Sequence, residues 1–346
     1  MRALVKTRKG KGFVELRDVP EPSIGEDEVL IDVKACGICG TDLHIFQDEF
    51  PSYPPVVLGH EFSGTIAAVG RNVRGWTVGD RVVGEPHTMA CGTCFLCRTG
   101  NRQNCPQKRS PGWGIDGAFA PRMRWPEPGL LHRIPATLDF QSAALTEPLA
   151  NVVTDIILNG AITAGDVVAV AGPGPIGIMA ALVAKHAGAS RVIIFGVNED
   201  EETRLSLCRS LPAIDHVVNV QKEDLGTLVQ GWTSGRGVDL FIEASGAPAA
   251  LKTGANIIRK LGTAAAIGLT GKPAVEFPYD AFMMKAVRFL FNLSTKYEAW
   301  DRAIHILTTG LIPHERLVTH RGPLEQWQEF FEALLTRKGL KGMFLF

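Results

Sequence analysis

The sequence has no excess of charge of either sign: 36 Lys and Arg stand against 36 Asp and Glu. A balanced chain has no electrostatic footprint for nucleic acid or for an anionic membrane, which excludes partners of both kinds. It also lacks a run able to cross a bilayer. The longest uncharged stretch, Val167 to Ala184, spans 18 residues, at the membrane threshold. Gly172, Pro173, Gly174, Pro175 and Gly177 interrupt it, and a strand, a turn and a helix explain it better. No export signal is expected either. Lys6 arrives before any apolar core could form, which predicts a cytoplasmic chain. No internal repeat and no low-complexity segment is present. With 45% hydrophobic and 21% charged residues the chain is not disordered. Its 346 residues, at roughly 150 per domain, predict two domains, large enough to bury cores without disulfide staples.

The first ~150 residues read as β-rich. Short apolar runs such as Glu28 to Val33, Gly64 to Gly70 and Asp80 to Val83 are separated by Gly and Pro. After that the pattern changes. Strands predicted at Val167 to Ala171, Arg191 to Phe195, Val238 to Glu243, Ala264 to Ile267 and Val287 to Leu293 alternate with helices. Two of those helices are Ile176 to Ala187 and Glu202 to Ser210. Such alternation implies a parallel sheet covered on both faces. The last ~50 residues turn amphipathic and end in a strand-like run, Gly342 to Phe346.

Gly172-Pro173-Gly174-Pro175-Ile176-Gly177 fits G-x-G-x-x-G, follows a buried-strand run and opens a helix. In that context it predicts a dinucleotide site. Gly172 serves the tight turn, Gly174 the approach of a pyrophosphate to the helix N-terminus, and Gly177 close helix–strand packing. An acid is expected about 20 residues on, to bind the adenosine ribose. Gly196 stands there instead, with Glu199, Asp200, Glu201 and Glu202 following and Arg204 the only base close by. The missing acid favours NADP, the four carboxylates favour NAD, and the reading leans slightly to NAD. Carboxylates at a solvated helix start would explain the acidic run as well.

Four of the seven cysteines, Cys91, Cys94, Cys97 and Cys105, crowd into one loop. Clustering without an export signal points to thiolate ligands rather than disulfides. The spacing favours a closed tetrahedral zinc over an iron–sulfur cluster or four free thiols, and a closed Cys₄ site is structural. A second, looser constellation comprises Cys39, Thr41 and His44, then His60 and Glu61, and much later Glu147. Cys39, His60 and one Glu would supply three ligands and leave a position open, as catalytic zinc requires. By spacing alone a lone Cys or His is more often structural.

Gly37-Ile38-Cys39-Gly40-Thr41-Asp42-Leu43-His44, Gly59-His60-Glu61, the four-Cys loop and the glycine fingerprint together resemble the zinc-dependent medium-chain dehydrogenase/reductase family, which includes alcohol, polyol and threonine dehydrogenases. The likeness covers essentially the whole chain. It implies an α/β protein: a GroES-like β-barrel catalytic domain (1–152 and 294–346) and an inserted Rossmann coenzyme domain (153–293) with a doubly wound parallel sheet. It implies two Zn²⁺ per chain, one catalytic and one structural, and NAD or NADP. By the same likeness Cys39 and His60 are catalytic zinc ligands, Glu61 is an acid that joins or exchanges at the metal, and Glu147 is the polyol-dehydrogenase ligand. Whether Glu61 or Glu147 binds directly stays open. Thr41 and His44 match a proton relay through the nicotinamide ribose.

The implied reaction is hydride transfer between a small-molecule secondary alcohol, a polyol, sugar alcohol or sugar derivative, and NAD(P). The alternatives are an L-threonine 3-dehydrogenase-like or simple secondary-alcohol or butanediol dehydrogenase. More remote are a zinc-free quinone or enoyl reductase on the same fold, and a non-catalytic protein. Family members are dimers or tetramers, often joined through the last coenzyme-sheet strand, and a homotetramer is expected. Cys36 and Cys208 read as small buried residues. His87, Trp113 and Phe119 are candidates for shaping the substrate pocket, with His87 equally explained as a loop histidine.

Overall fold

The computed structural model describes all residues, Met1–Phe346, which form two compact units: Met1–Ala150 with Leu293–Phe346, and Asn151–Asn292. Unit one begins with β1 (Arg2–Lys6), β2 (Val14–Asp18), β3 (Val29–Gly37), β4 (Val56–Val57), β5 (Glu61–Val69), β6 (Arg81–Gly84), β7 (Arg122–Trp125) and β8 (Leu131–Arg133). Unit two holds β9 (Val167–Ala171), β10 (Arg191–Gly196), β11 (His216–Asn219), β12 (Val238–Glu243), β13 (Ile258–Ala266) and β14 (Arg288–Phe291). The chain then returns to unit one for β15 (Val318–Gly322) and β16 (Lys341–Leu345).

Unit one contains a three-stranded sheet, β2-β1-β4, and a seven-stranded sheet ordered β15-β16-β3-β5-β6-β8, with β7 pairing β3. β3 alternates buried and half-buried residues along most of its length, as a strand facing a core on one side must. Its last three residues, Ala35, Cys36 and Gly37, are all buried. Here β16 pairs one side of β3 and β5 the other. The core beneath includes Leu4, Ile31, Phe119, Trp125, Phe330 and Phe344.

Unit two is an all-parallel sheet in the order β11-β10-β9-β12-β13-β14. Counted within the unit this is 3-2-1-4-5-6, the doubly wound order in which a ligand binds where the order reverses, beyond the carboxyl end of β9. All five residues of β9 are buried, which fits a central parallel strand covered on both faces.

Some boundaries differ from those predicted. The strand placed at Ala264 to Ile267 begins earlier, at Ile258, and contains a register shift against β12. The last strand of this sheet is shorter than predicted because the backbone leaves the ladder after Phe291. The helix from Glu202 opens one residue sooner, as a wide π-type turn over Glu201–Leu205, before the regular turn Ser206–Arg209. Cys36 and Cys208 are both buried. No helix is long and apolar enough to cross a membrane.

Candidate active site and metal centres

Antiparallel pairing of β3 with β5 sets Gly37 opposite Glu61. That register brings Cys39, two residues past the end of β3, beside His60, one residue before β5. Gly37 leaves room for the Glu61 carboxylate: a β-carbon there would lie 2.3 Å from Glu61 Oε2. Cys39 caps helix α1 (Gly40–Gln47), and its N–H donates to Asp42 Oδ2 at 2.8 Å. The ligand atoms of Cys39, His60 and Glu61 lie within 4.8 Å of one another. Trp113 closes one side, edge-on to the His60 ring at 5.1 Å.

His60 and Glu61 are buried and Cys39 is half-buried. His60 Nδ1 and Asp42 Oδ1, 3.9 Å apart, both lack a hydrogen-bond partner. Burial lowers the His60 pKa, but the Cys39 sulfur, Asp42 and Glu147 outweigh it and push the imidazole up to about 10. The site therefore gathers enough negative charge to hold a proton on a buried ring. A sulfur, a nitrogen and a carboxylate oxygen in that field suit Zn²⁺ with a position left over. Glu61 also pairs with Lys341 of β16, and both side chains are buried. Burial lowers the Lys341 pKa, yet Glu61 and Cys39 raise it overall. Nothing in the local sequence signals this residue.

Glu147 lies on α2 (Thr146–Val153). Its charge is felt at His60 and Lys341, but it is not among the clustered donors. Thr41 is half-buried on α1. His44 is 31% exposed and its Nδ1 meets Glu49 at 2.8 Å. Phe119 belongs to the core, stacking edge-on with Phe344 at 4.8 Å. His87 is not a surface loop residue. Buried Glu85 bridges it, at 2.7 Å, to His132, at 3.0 Å, and His132 reaches the exposed Asp301.

Sulfur separations in the four-Cys loop are 3.9 Å for Cys91–Cys97, 3.9 Å for Cys94–Cys105 and 3.6 Å for Cys91–Cys105. A zinc–sulfur bond of ~2.3 Å makes the tetrahedral edge ~3.8 Å, so the four sulfurs already have the spacing of a closed zinc site. Backbone N–H groups of Cys91, Cys94 and Cys97 donate to sulfurs of the same cluster. Hydrogen bonds from the Thr93 and Cys94 backbones and the Thr93 hydroxyl bring the Cys91 thiol down to about 6, which favours the thiolate a metal needs.

In unit two each fingerprint glycine has a separate reason. Gly172 has φ +96°, and a β-carbon there would strike Ser245. Gly174 caps helix α3 (Pro175–His186) and has open space around it. A β-carbon on Gly177 would lie 1.9 Å from the Gly172 carbonyl oxygen.

Residues 25–136 match the alcohol dehydrogenase GroES-like domain and residues 175–309 the zinc-binding dehydrogenase domain. The chain is 38% identical to sorbitol dehydrogenase of Halalkalibacterium halodurans over 341 residues, 99% of this chain and 98% of that protein. The chain belongs to the zinc-dependent medium-chain dehydrogenase family. D-arabitol-phosphate dehydrogenase of Enterococcus avium is 34% identical over 344 residues, 99% of this chain and 97% of that protein. Among solved structures, the alcohol dehydrogenase TADH from Thermus sp. ATN1 superposes with a TM-score of 0.88 at 32% identity, covering 100% of this chain and 99% of the other. The family is enzymatic and unites zinc with a nicotinamide dinucleotide, in line with the fingerprint and the donor clusters described above.

Proposed function

We propose that this dehydrogenase oxidises a secondary alcohol of a polyol or sugar derivative to the ketone, with NAD as acceptor. The observation that carries the reading is the Cys39–His60–Glu61 donor cluster, with the charge of Glu147 felt at His60. The likeness to a sorbitol dehydrogenase over nearly the full chain supports it. Cys39 and His60 would hold the catalytic zinc, with Glu61 or Glu147 as the oxygen ligand. Cys91, Cys94, Cys97 and Cys105 would hold a structural one, making two per chain. The catalytic metal, when bound, supplies Lewis acidity toward the alcohol oxygen.

The chain's own residues do the rest. Trp113 packs edge-on against the His60 ring and holds its orientation. The carbinol carbon would give its hydride, with the electron pair, to NAD when that cofactor is bound, and the hydroxyl proton would leave separately. The Thr41 hydroxyl starts its path and the His44 imidazole, partly exposed beside Glu49, delivers it to solvent. Gly172, Gly174, Pro175, Ile176 and Gly177 would seat the pyrophosphate of the dinucleotide at the start of α3, with Gly196 on the adenosine-ribose side. The edge strand β14 with its exposed Phe291 supports a homo-oligomer, dimer or tetramer, joined along that edge. No disulfide joins any of the seven cysteines, which suits a reducing, cytoplasmic setting.

The test is initial rates on polyols, sugars, simple secondary alcohols and L-threonine, with NAD and with NADP, before and after chelation, alongside zinc content. A polyol signal lost on chelation is expected, with two zincs per chain beforehand. Turnover of L-threonine alone would move the assignment to the threonine dehydrogenases, and turnover that survives zinc removal would refute the site.

A further inference from the structure

The dinucleotide fold expects a carboxylate at the tip of its second strand, here β10, to bind the adenosine ribose diol. Residue 196 at that tip is glycine. A β-carbon built on it would lie 2.8 Å from Asp200 Oδ2 and 2.9 Å from Pro173 Cγ of the fingerprint loop. The space into which a residue-196 side chain would project is therefore already occupied, and the group occupying it is a carboxylate, flanked by the phosphate-binding turn.

Asp200 is held there. Its Oδ2 accepts the Val197 N–H at 3.2 Å, its Oδ1 meets Arg204 at 3.5 Å, and it is 4% exposed. The other acids of the run are not so placed. Glu201 is engaged by Asn219 at 2.6 Å, Arg209 at 2.8 Å and Lys222 at 3.6 Å. Glu199 and Glu202 are exposed. Arg204, the base that would suit a 2′-phosphate, is paired with Asp200.

We propose that Asp200 is the ribose-binding acid of this enzyme, delivered from four residues beyond its usual place because Gly196 leaves it room, and that it sets the preference for NAD over NADP. This rests on the dinucleotide reading of the site above. Each carboxylate oxygen keeps acceptor capacity beyond its present bond, so both ribose hydroxyls have a charged partner. A 2′-phosphate brought to the same point meets a buried negative charge with no room to retreat.

The test is binding of NADH and of NADPH to the zinc-loaded enzyme, followed by cofactor fluorescence, which requires no turnover. Wild type is expected to bind NADH at least about tenfold more tightly than NADPH. Asp200→Asn removes both the charged acceptor and the repulsion, so NADH binding should weaken about tenfold and the preference collapse. Arg204→Met keeps the carboxylate and should keep NADH preferred. It guards the test if Asp200→Asn loosens the turn, which a thermal midpoint would show. Tighter NADPH binding by wild type, with that binding lost in Arg204→Met, would overturn the proposal and make Arg204 the selector. An unchanged ratio in a folded Asp200→Asn would overturn it as well. Failure to bind either cofactor would strike the dinucleotide reading itself.

Discussion

Asp155 sits on the π-type turn Thr154–Leu158 of unit two, 7% exposed, with the Asn292 side chain as hydrogen-bond partner. Burial raises its carboxyl from 3.8 to about 7, and the Asn292 bond only partly offsets this. Below pH 3.8 the group is protonated in both folded and unfolded chains and costs nothing. Between the two values the unfolded chain ionises while the folded one stays neutral, so stability falls as pH rises. Each pH unit costs about 1.4 kcal/mol, so the loss is complete above pH 7 at ~4 kcal/mol. Asp155→Asn cannot ionise and keeps a similar shape and hydrogen-bonding capacity. It should therefore gain most of that amount at pH 8 and nothing near pH 4. Urea denaturation of both proteins at pH 4.5, 6 and 8 is the assay. With a slope of ~2–3 kcal/mol per M, the midpoints should separate by roughly 1–2 M at pH 8 and converge at the acid end. A difference independent of pH, or a variant weaker at pH 8, would refute the burial argument.

Two further outcomes follow from the metal centres. Cys94→Ser leaves three thiolates where a closed tetrahedron needs four. Zinc content should fall by one per chain and the loop from Cys91 to Cys105 should open to limited proteolysis, at a cost on the order of several kcal/mol; an unchanged zinc count would show that the four sulfurs do not share an ion. Lys341→Met strands the buried Glu61 carboxylate, a loss of ~3–5 kcal/mol, and adding Glu61→Gln should recover most of it; equal stability of Lys341→Met and wild type in denaturation curves would dismiss the pair.

What the sequence made legible was whatever depends on short spacing. The glycine fingerprint, the four-Cys loop and the strand–helix alternation are local patterns, and each corresponds to one compact piece of structure. Cys39 and His60 could be named from their motifs, but only the β3–β5 register explains why they meet. Lys341 and Asp200 escaped for opposite reasons. Lys341 reaches Glu61 from 280 residues away, and no periodicity encodes such a contact. Asp200 stood in plain view within an acidic run, yet the choice among its four carboxylates depends on which one the β10 turn folds inward. His87 could be read either way until Glu85 and His132 were seen to enclose it.

The place of β16 between β15 and β3 has a consequence for how the enzyme is made. Unit two is one continuous stretch and can close while the rest is still being translated. Unit one cannot, because the strand that completes its larger sheet is synthesised last. At roughly 5–20 residues per second, the 280 residues between Glu61 and Lys341 occupy about 14–56 s. Throughout that interval the nascent chain presents an open sheet edge beside a carboxylate that has not met its cation, which is when it most needs shelter from other chains on the ribosome.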